Sequence, residues 1–327
     1  MPVLNEERYL AQSVAGVLAQ EYDGELELVL AVGPSLDRTE EIARALEAED
    51  DRVRVVPNPL GKTPHALNAA VRASSHPYVI RVDAHGFLPD GYVAEVVRLL
   101  DTTGAANVGG MMRVEGEDAF GYAVARAMSS PLGIGGSKFH VGGEPGPART
   151  VYLGAFRRDV LDRLGGFDEH FWRAQDWELN YRLRRAGETV WFTPHLAVTY
   201  RPRRNLRALG KQFYGSGQWR RQIVEEHPDT ASLRYLAAPV VTAAILLGIV
   251  VGGAGLPLGW PWPAVGWLAP VGYLAGVLAA SVPMGRRLPL RSRLWLPLVV
   301  ATMHLTWGWG FLRSIPRRQR RGRHSSR

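Results

Sequence analysis

The sequence contains no cysteine, which excludes disulfides, thiolate metal sites and a cysteine nucleophile and fits a reducing compartment. Acidic residues are equally absent from the last 98 residues: all 31 lie at or before Asp229. Residues 1–229 carry 27 Lys/Arg and a net charge of −4, while 230–327 carry 12 arginines and a net charge of +12. The overall +8 therefore describes neither part. The basic residues flank apolar segments instead of forming a patch interleaved with aromatics, so no nucleic acid partner is expected. The opening residues Met1-Pro2-Val3-Leu4-Asn5-Glu6-Glu7-Arg8 show neither the basic region nor the apolar core of a signal peptide. No internal repeat is present, and the only low-complexity stretch is an arginine-rich tail at 313–327.

Three uncharged apolar runs dominate the C-terminal part, at 236–256, 264–282 and 294–312. A helix needs roughly 20 apolar residues to cross a bilayer core, so each is a candidate span of an anchor covering 230–312. Six of the ten tryptophans fall between Trp260 and Trp309, as an interfacial belt requires. The stretch 201–221 holds seven Lys/Arg and no acid, which predicts a cytoplasmic domain at 1–229. The uncharged connection 257–263 suits the outer face, and 283–293, with Arg286, Arg287, Arg291 and Arg293, suits the inner face. If the third run also spans, seven tail arginines lie outside, against the charge rule. Either that run is interfacial or re-entrant, or the rule is broken.

Residues 1–229 alternate short Val/Ile/Leu-rich strands with helical segments. The strands are predicted at 26–32, 53–56 and 78–83, the helices at 6–20, 37–49 and 64–73. That order predicts an α/β fold with a doubly wound, mostly parallel sheet and a ligand crevice at the carboxyl ends of its strands. Glycine and proline cluster at 133–147, which reads as a mobile loop, and a later helix at 176–186 stops at Gly187.

Two constellations carry chemistry. Asp83 and His85 end the third strand, and residues two apart on an extended chain point to the same side. A carboxylate and an imidazole there suit a divalent cation that in turn holds a diphosphate, although a strand-ending Asp also serves as a turn former. Asp176 opens a helix. It is either the N-cap of that helix or, in a partly desolvated site, a general base.

Taken in order, the motifs resemble family 2 glycosyltransferases of the GT-A fold over about residues 1–221. Pro2-Val3-Leu4-Asn5-Glu6-Glu7 resembles the segment after the family's first strand, and Ser35-Leu36-Asp37-Arg38-Thr39 its S-x-D-x-T turn. Gly61-Lys62-Thr63-Pro64-His65-Ala66-Leu67-Asn68 is similar to the segment near the nucleotide, and Asp83-Ala84-His85 stands at the D-x-D motif. Gly154-Ala155-Phe156-Arg157-Arg158 and Leu164-Gly165-Gly166-Phe167-Asp168-Glu169 resemble the acceptor side, and Gln175-Asp176 stands at the Glu-Asp catalytic pair. The D-A-H variant and Asp176-Trp177-Glu178-Leu179-Asn180 look most like bacterial exopolysaccharide enzymes of the succinoglycan-biosynthesis type.

The resemblance implies an inverting, metal-dependent transfer from a nucleoside-diphosphate sugar to a lipid-linked glycan acceptor. Asp176 would be the base; Asp83, Lys62, Asn68 and Asp37 would bind the nucleotide sugar; Asp83 and His85 would hold the metal. An imidazole in place of a carboxylate favours Mn2+ over Mg2+. The expected location is the inner membrane, multi-pass, with the catalytic domain cytoplasmic. A polyprenyl-phosphate sugar synthase and a non-catalytic membrane scaffold remain alternatives.

The departures are specific. No apolar strand stands before Pro2, so the first strand is missing and a Val/Ile-rich run is expected upstream. Ala31-Val32-Gly33-Pro34 replaces the acidic pair before the S-x-D-x-T turn. Gln218-Trp219-Arg220-Arg221 has the ingredients but not the spacing of the processive Q-x-x-R-W motif, which favours addition of a single sugar.

Overall fold

The computed structural model describes residues 1–258 and 262–314, so most of the basic tail and the middle of the first apolar connection lie outside the described residues. In chain order the elements begin β1 (Pro2–Val3), α1 (Leu10–Leu18), β2 (Leu28–Val32), α2 (Thr39–Glu49), β3 (Val53–Pro57), α3 (Thr63–Ala73), β4 (Tyr78–Ile80) and α4 (Tyr92–Thr103). They continue with β5 (Asn107–Val114), α5 (Ala119–Met128), α6 (Pro131–Ile134), α7 (Lys138–Val141), β6 (Gly146–Pro147), β7 (Tyr152–Arg157), α8 (Arg158–Arg163), α9 (Gln175–Arg185) and β8 (Val190–Tyr200). Four long helices follow: α10 (Leu206–Glu226), α11 (Leu233–Leu258), α12 (Leu268–Gly285) and α13 (Leu290–Arg313).

Strands β1, β2 and β3 form a parallel sheet with β2 central. All five residues of β2 are buried, as a strand covered on both faces must be, which is why it reads as an unbroken apolar run. The first strand, expected to be missing, is present in shortened form. Pro2 pairs with Ala31 and Val3 with Val32, through Ala31 N to Met1 O at 2.9 Å and Gly33 N to Val3 O at 2.8 Å. Beside it an apolar cavity of about 330 Å3 is lined by Met1, Leu28, Val29, Tyr78, Val82 and Phe167, among others. A second sheet has the order β4-β7-β5-β8-β6, with β5 parallel to β8 and with β7 and β6 antiparallel to their neighbours.

Several expected boundaries move for local reasons. Helix α1 starts at Leu10 because Asn5 is left-handed (φ 55°) and Glu6 caps a turn that receives both Tyr9 N and Leu10 N at 3.0 Å. Regular β4 ends at Ile80, so Arg81–Asp83 leave the ladder just where side chains must turn into the crevice. The stretch 133–147, expected to be a mobile loop, includes the end of α6, the turn α7 and strand β6, which pairs with Trp191 and Phe192 of β8.

These residues group into two compact units, one of 1–205 with 279–300 and one of 206–278 with the residues from 301 onward. Within the first, Arg126 Nε donates to Met284 O at 2.9 Å and the Phe120 ring meets Trp295 edge-on at 5.5 Å. Within the second, α10 and α13 approach closely at glycines. A Cβ on Gly217 would come within 2.0 Å of Trp307 O. Among the described residues two helical stretches are long and apolar enough to cross a membrane. They are Tyr235–Ala254 (mean hydropathy 2.3) and Ala264–Gly285 (mean hydropathy 1.6). Helix α13 is not one of them, and it buries Leu296, Val299, Val300 and Met303 along one face.

Candidate active site

The site forms where the loops after β1, β2 and β4 meet the start of α9. The first two loops are joined side to side. Asn5 N donates to Ser35 Oγ at 3.0 Å, Leu36 N to Asn5 Oδ1 at 2.7 Å, Glu6 N to Thr39 Oγ1 at 2.7 Å and Glu7 N to Asp37 Oδ2 at 3.3 Å. Asp37 Oδ1 also accepts from Thr39 N at 3.1 Å and from the Thr39 hydroxyl, and that hydroxyl above all holds its carboxyl below the usual range. Both Asp37 oxygens are thus engaged in loop structure, an Asx-type turn in the sense that its side chain takes over backbone bonding.

The clasp orients Glu6, whose Oε1 lies 2.8 Å from His85 Nδ1. Burial works to lower the His85 pKa, but the hydrogen bond to Glu6 and the charges of Glu6 and Asp83 outweigh it, and the net shift is upward. A carboxylate on one ring nitrogen fixes the tautomer and presents the other nitrogen outward, the arrangement typical of a histidine that ligates a metal. The charge of Arg203 also acts on both His85 and Arg173, so cationic groups border the site on this side.

At the centre stands Arg81, only 7% exposed. Its Nε and Nη2 donate to Asp83 Oδ1 at 3.1 and 2.8 Å, and its Nη1 donates to Asp176 Oδ1. One guanidinium therefore joins the carboxylate at the end of β4 to the carboxylate at the start of α9, 95 residues apart in sequence. Sequence reasoning missed Arg81. Its signal was a charge inside the apolar run Tyr78-Val79-Ile80-Arg81-Val82, which is costly unless a partner waits for it.

Asp176 is not the N-cap. That position belongs to Ala174, left-handed at φ 60° and without a side-chain cap bond. Burial raises the Asp176 pKa, Arg81 opposes, Asp83 adds to the rise, and the balance is upward. For Asp83 burial also pushes up, but Arg81 and His85 prevail and the balance is downward. Two carboxylates on one arginine are thus driven apart, one to stay ionised and one towards a base that takes up a proton more readily.

The other expected residues make contacts of their own. Asn68 is buried and reciprocally bonded to the Gly166–Glu169 turn: Nδ2 donates to Phe167 O at 2.8 Å and to Glu169 Oε1 at 3.0 Å, and Oδ1 accepts from Phe167 N at 2.9 Å. A Cβ on Gly166, left-handed at φ 71°, would press within 2.7 Å of that Oδ1, so the glycine is required there. The Asn68 amide is committed to this turn. Lys62 places its ammonium 4.1 Å over the Trp172 ring, a cation–π contact that links the β3–α3 loop to the loop before α9.

Among the described residues no three His, Asp or Glu side chains converge as a ready metal cage. Asp83 Oδ2 and His85 Nε2 make no hydrogen bond within the described residues, so the chain offers one oxygen and one nitrogen. Were a cation bound there, these two atoms could fill two of its positions and leave the rest to a diphosphate and water.

The comparisons agree with this architecture. The glycosyl transferase family 2 domain matches residues 1–165. The succinoglycan biosynthesis protein ExoA of Rhizobium meliloti (strain 1021) is 33% identical over 330 residues, covering 96% of this chain and 93% of its own. The dolichyl N-acetyl-alpha-D-glucosaminyl phosphate 3-beta-D-2,3-diacetamido-2,3-dideoxy-beta-D-glucuronosyltransferase of Methanococcus voltae is 23% identical over 226 residues, covering 66% and 70%. The mannosyltransferase PcManGT from Pyrobaculum calidifontis, solved with GDP-Man and Mn2+, has the same fold at a TM-score of 0.60 and 18% identity, over 97% of this chain and 86% of that one. The chain belongs to glycosyl transferase family 2, and its α/β architecture is GT-A-like.

Proposed function

We propose that this chain transfers a sugar, with inversion, from a nucleoside-diphosphate sugar to a hydroxyl of a lipid-linked glycan acceptor at the cytoplasmic face of the inner membrane. The observation that carries the reading is the geometry of Asp83 and Asp176 on the one guanidinium of Arg81, and burial of Asp176 shifts its pKa upward in keeping with it. The acceptor oxygen bonds to the anomeric carbon as the bond to the diphosphate breaks. Asp176 takes the hydroxyl proton, and the diphosphate leaves with the bonding electron pair. Asp83 Oδ2 and His85 Nε2 would hold a divalent cation, Mn2+ in preference to Mg2+ because one ligand is a nitrogen. Such a cation neutralises charge on the leaving diphosphate.

The acceptor class and the setting draw on other support. One relative is named for succinoglycan biosynthesis and the other for a dolichyl-phosphate-linked sugar, which favours exopolysaccharide or lipid-linked glycan synthesis. Two helices of spanning length favour membrane insertion, and only 22% and 11% of their most apolar windows are buried within the protein. The contact of Arg126 with Met284 favours a connection after α12 on the catalytic side. The buried face of α13 favours a third segment that does not cross.

Asp176→Asn tests the chemistry. Turnover should fall at least about 10²-fold, as loss of a general base does, with nucleotide affinity nearly unchanged. Near-normal turnover would remove Asp176 from the mechanism and favour an acceptor that is already an anion.

A further inference from the structure

We infer that Arg81 is the positioning residue of the transfer reaction: a single buried guanidinium that fixes the base Asp176 relative to the donor-side Asp83. The inference rests on the reading of Asp176 as the base, and adds what holds it.

Three observations support it. First, among the described residues every side-chain hydrogen bond of Arg81 goes to these two carboxylates, and none goes to the surrounding fold. An arginine serving only packing or sheet structure would share its donors with nearby carbonyls, as Arg157 does with Ala105 O and Leu100 O, and Arg158 with His76 O and Val71 O. Second, its backbone is fixed. Arg81 N donates to Gly154 O at 3.2 Å, which anchors the guanidinium to β7 while its tip reaches α9. Third, Asp176 has no other anchor. The helix start beside it is the strained Ala174, without a side-chain cap bond, and among the described residues the only side-chain hydrogen bond of Asp176 is to Arg81. Without Arg81, Asp176 would face another carboxylate and turn away.

The fork shape matters. Nη1 serves Asp176 while Nε and Nη2 serve Asp83, so the two carboxylates are held at a spacing set by a rigid planar group. A lysine keeps the charge but offers one point, which cannot reproduce that spacing. Both Asp83 bonds use Oδ1, so the clamp leaves Oδ2 unengaged.

The test is a double-mutant cycle on the full-length chain in detergent, using Arg81→Lys, Asp176→Asn and the pair. Turnover is read with whichever sugar of a UDP-, GDP- and dTDP-sugar panel the unaltered protein transfers or hydrolyses, and affinity is read separately with UDP, GDP or dTDP and Mn2+. Arg81→Lys should lose at least about 30-fold in kcat while nucleotide affinity changes less than about 3-fold. The double variant should be slower than Asp176→Asn alone by much less than the loss in Arg81→Lys, because Arg81 acts largely through Asp176. Losses that multiply, or a normal kcat in Arg81→Lys, overturn the inference. A normal kcat in Asp176→Asn instead overturns the base assignment, and absence of turnover with the whole panel overturns the proposed function, and the inference falls with either.

Melting temperatures supply a second cycle that needs no substrate. Arg81→Gln leaves two carboxylates facing each other and should lower Tm, and adding Asp176→Asn should restore part of the loss. Additive shifts would show that Arg81 and Asp176 are not coupled.

Discussion

The loops after β1 and β2 are joined by hydrogen bonds between backbone amides and short polar side chains, whereas β4 and α9 are joined by a buried guanidinium between two carboxylates. The first junction depends on the exact shape of two turns and hardly on charge, because most of its members face solvent and are screened. The second depends on charge in an enclosed place, where each ion needs its partner. The junction that aims Glu6 at His85 is therefore set by turn geometry, and the one that joins Asp83 to Asp176 by paired charge.

Breaking a hydrogen-bonded junction should cost stability before it costs chemistry, and Asn68 gives the largest such effect. Asn68→Ala leaves Phe167 N–H and C=O unpaired in the interior and should destabilise by about 2–3 kcal/mol in chemical denaturation. A loss under about 0.5 kcal/mol would return Asn68 to solvent and to a ligand role. Thr39→Val is the same test on the clasp. It removes the acceptor of Glu6 N at the one fully buried side chain of the clasp, and should cost about 1–2 kcal/mol and loosen His85.

The pH response sharpens the contrast. The folded pKa of His85 lies above its ordinary 6.5, so the stability it adds is complete below that value and is lost as pH rises through the raised one. Mn2+ needs the neutral ring, so Mn2+ affinity in the presence of nucleotide should fall as pH drops through the raised value, above 6.5 and not at it. Glu6→Gln should move that midpoint down. A midpoint unmoved by Glu6→Gln, or Mn2+ affinity unchanged in His85→Ala, would show that the pair holds no metal. The smallest effect is expected at Ala174, where Gly removes the strain of a left-handed alanine. Tm should rise by an amount worth less than about 1 kcal/mol, and a fall would mean that the methyl group packs usefully.

Much of the fold was legible because its cause is local. Buried parallel strands such as β2 must be apolar throughout, and helix α9 ends at Arg185, just ahead of Gly187, where a glycine stop was expected. The site was legible only in part. Asp83, His85 and Asp176 could be picked out by position along the chain, but the partners that define them are distant: Glu6 for His85 across 79 residues, Arg81 for Asp176 across 95. Asn68 and Asp37 were expected at the nucleotide because the segments that carry them resemble family motifs, and a motif does not reveal which backbone groups its side chains bond. The structure adds those bonds, to Phe167 and Thr39.

The pairing of Arg126 with Met284 and of Phe120 with Trp295 also bears on how the protein is handled at the bench. A gene cut at the change in composition near Asp229 would deliver a catalytic half stripped of its 279–300 segment, with an aromatic face bare and an arginine missing its carbonyl. Such a fragment is poised to associate through that face, and sluggish activity in it would say little about the enzyme. Grafting 279–300 back behind residue 205 through a short flexible link should give a monodisperse catalytic unit where simple truncation does not.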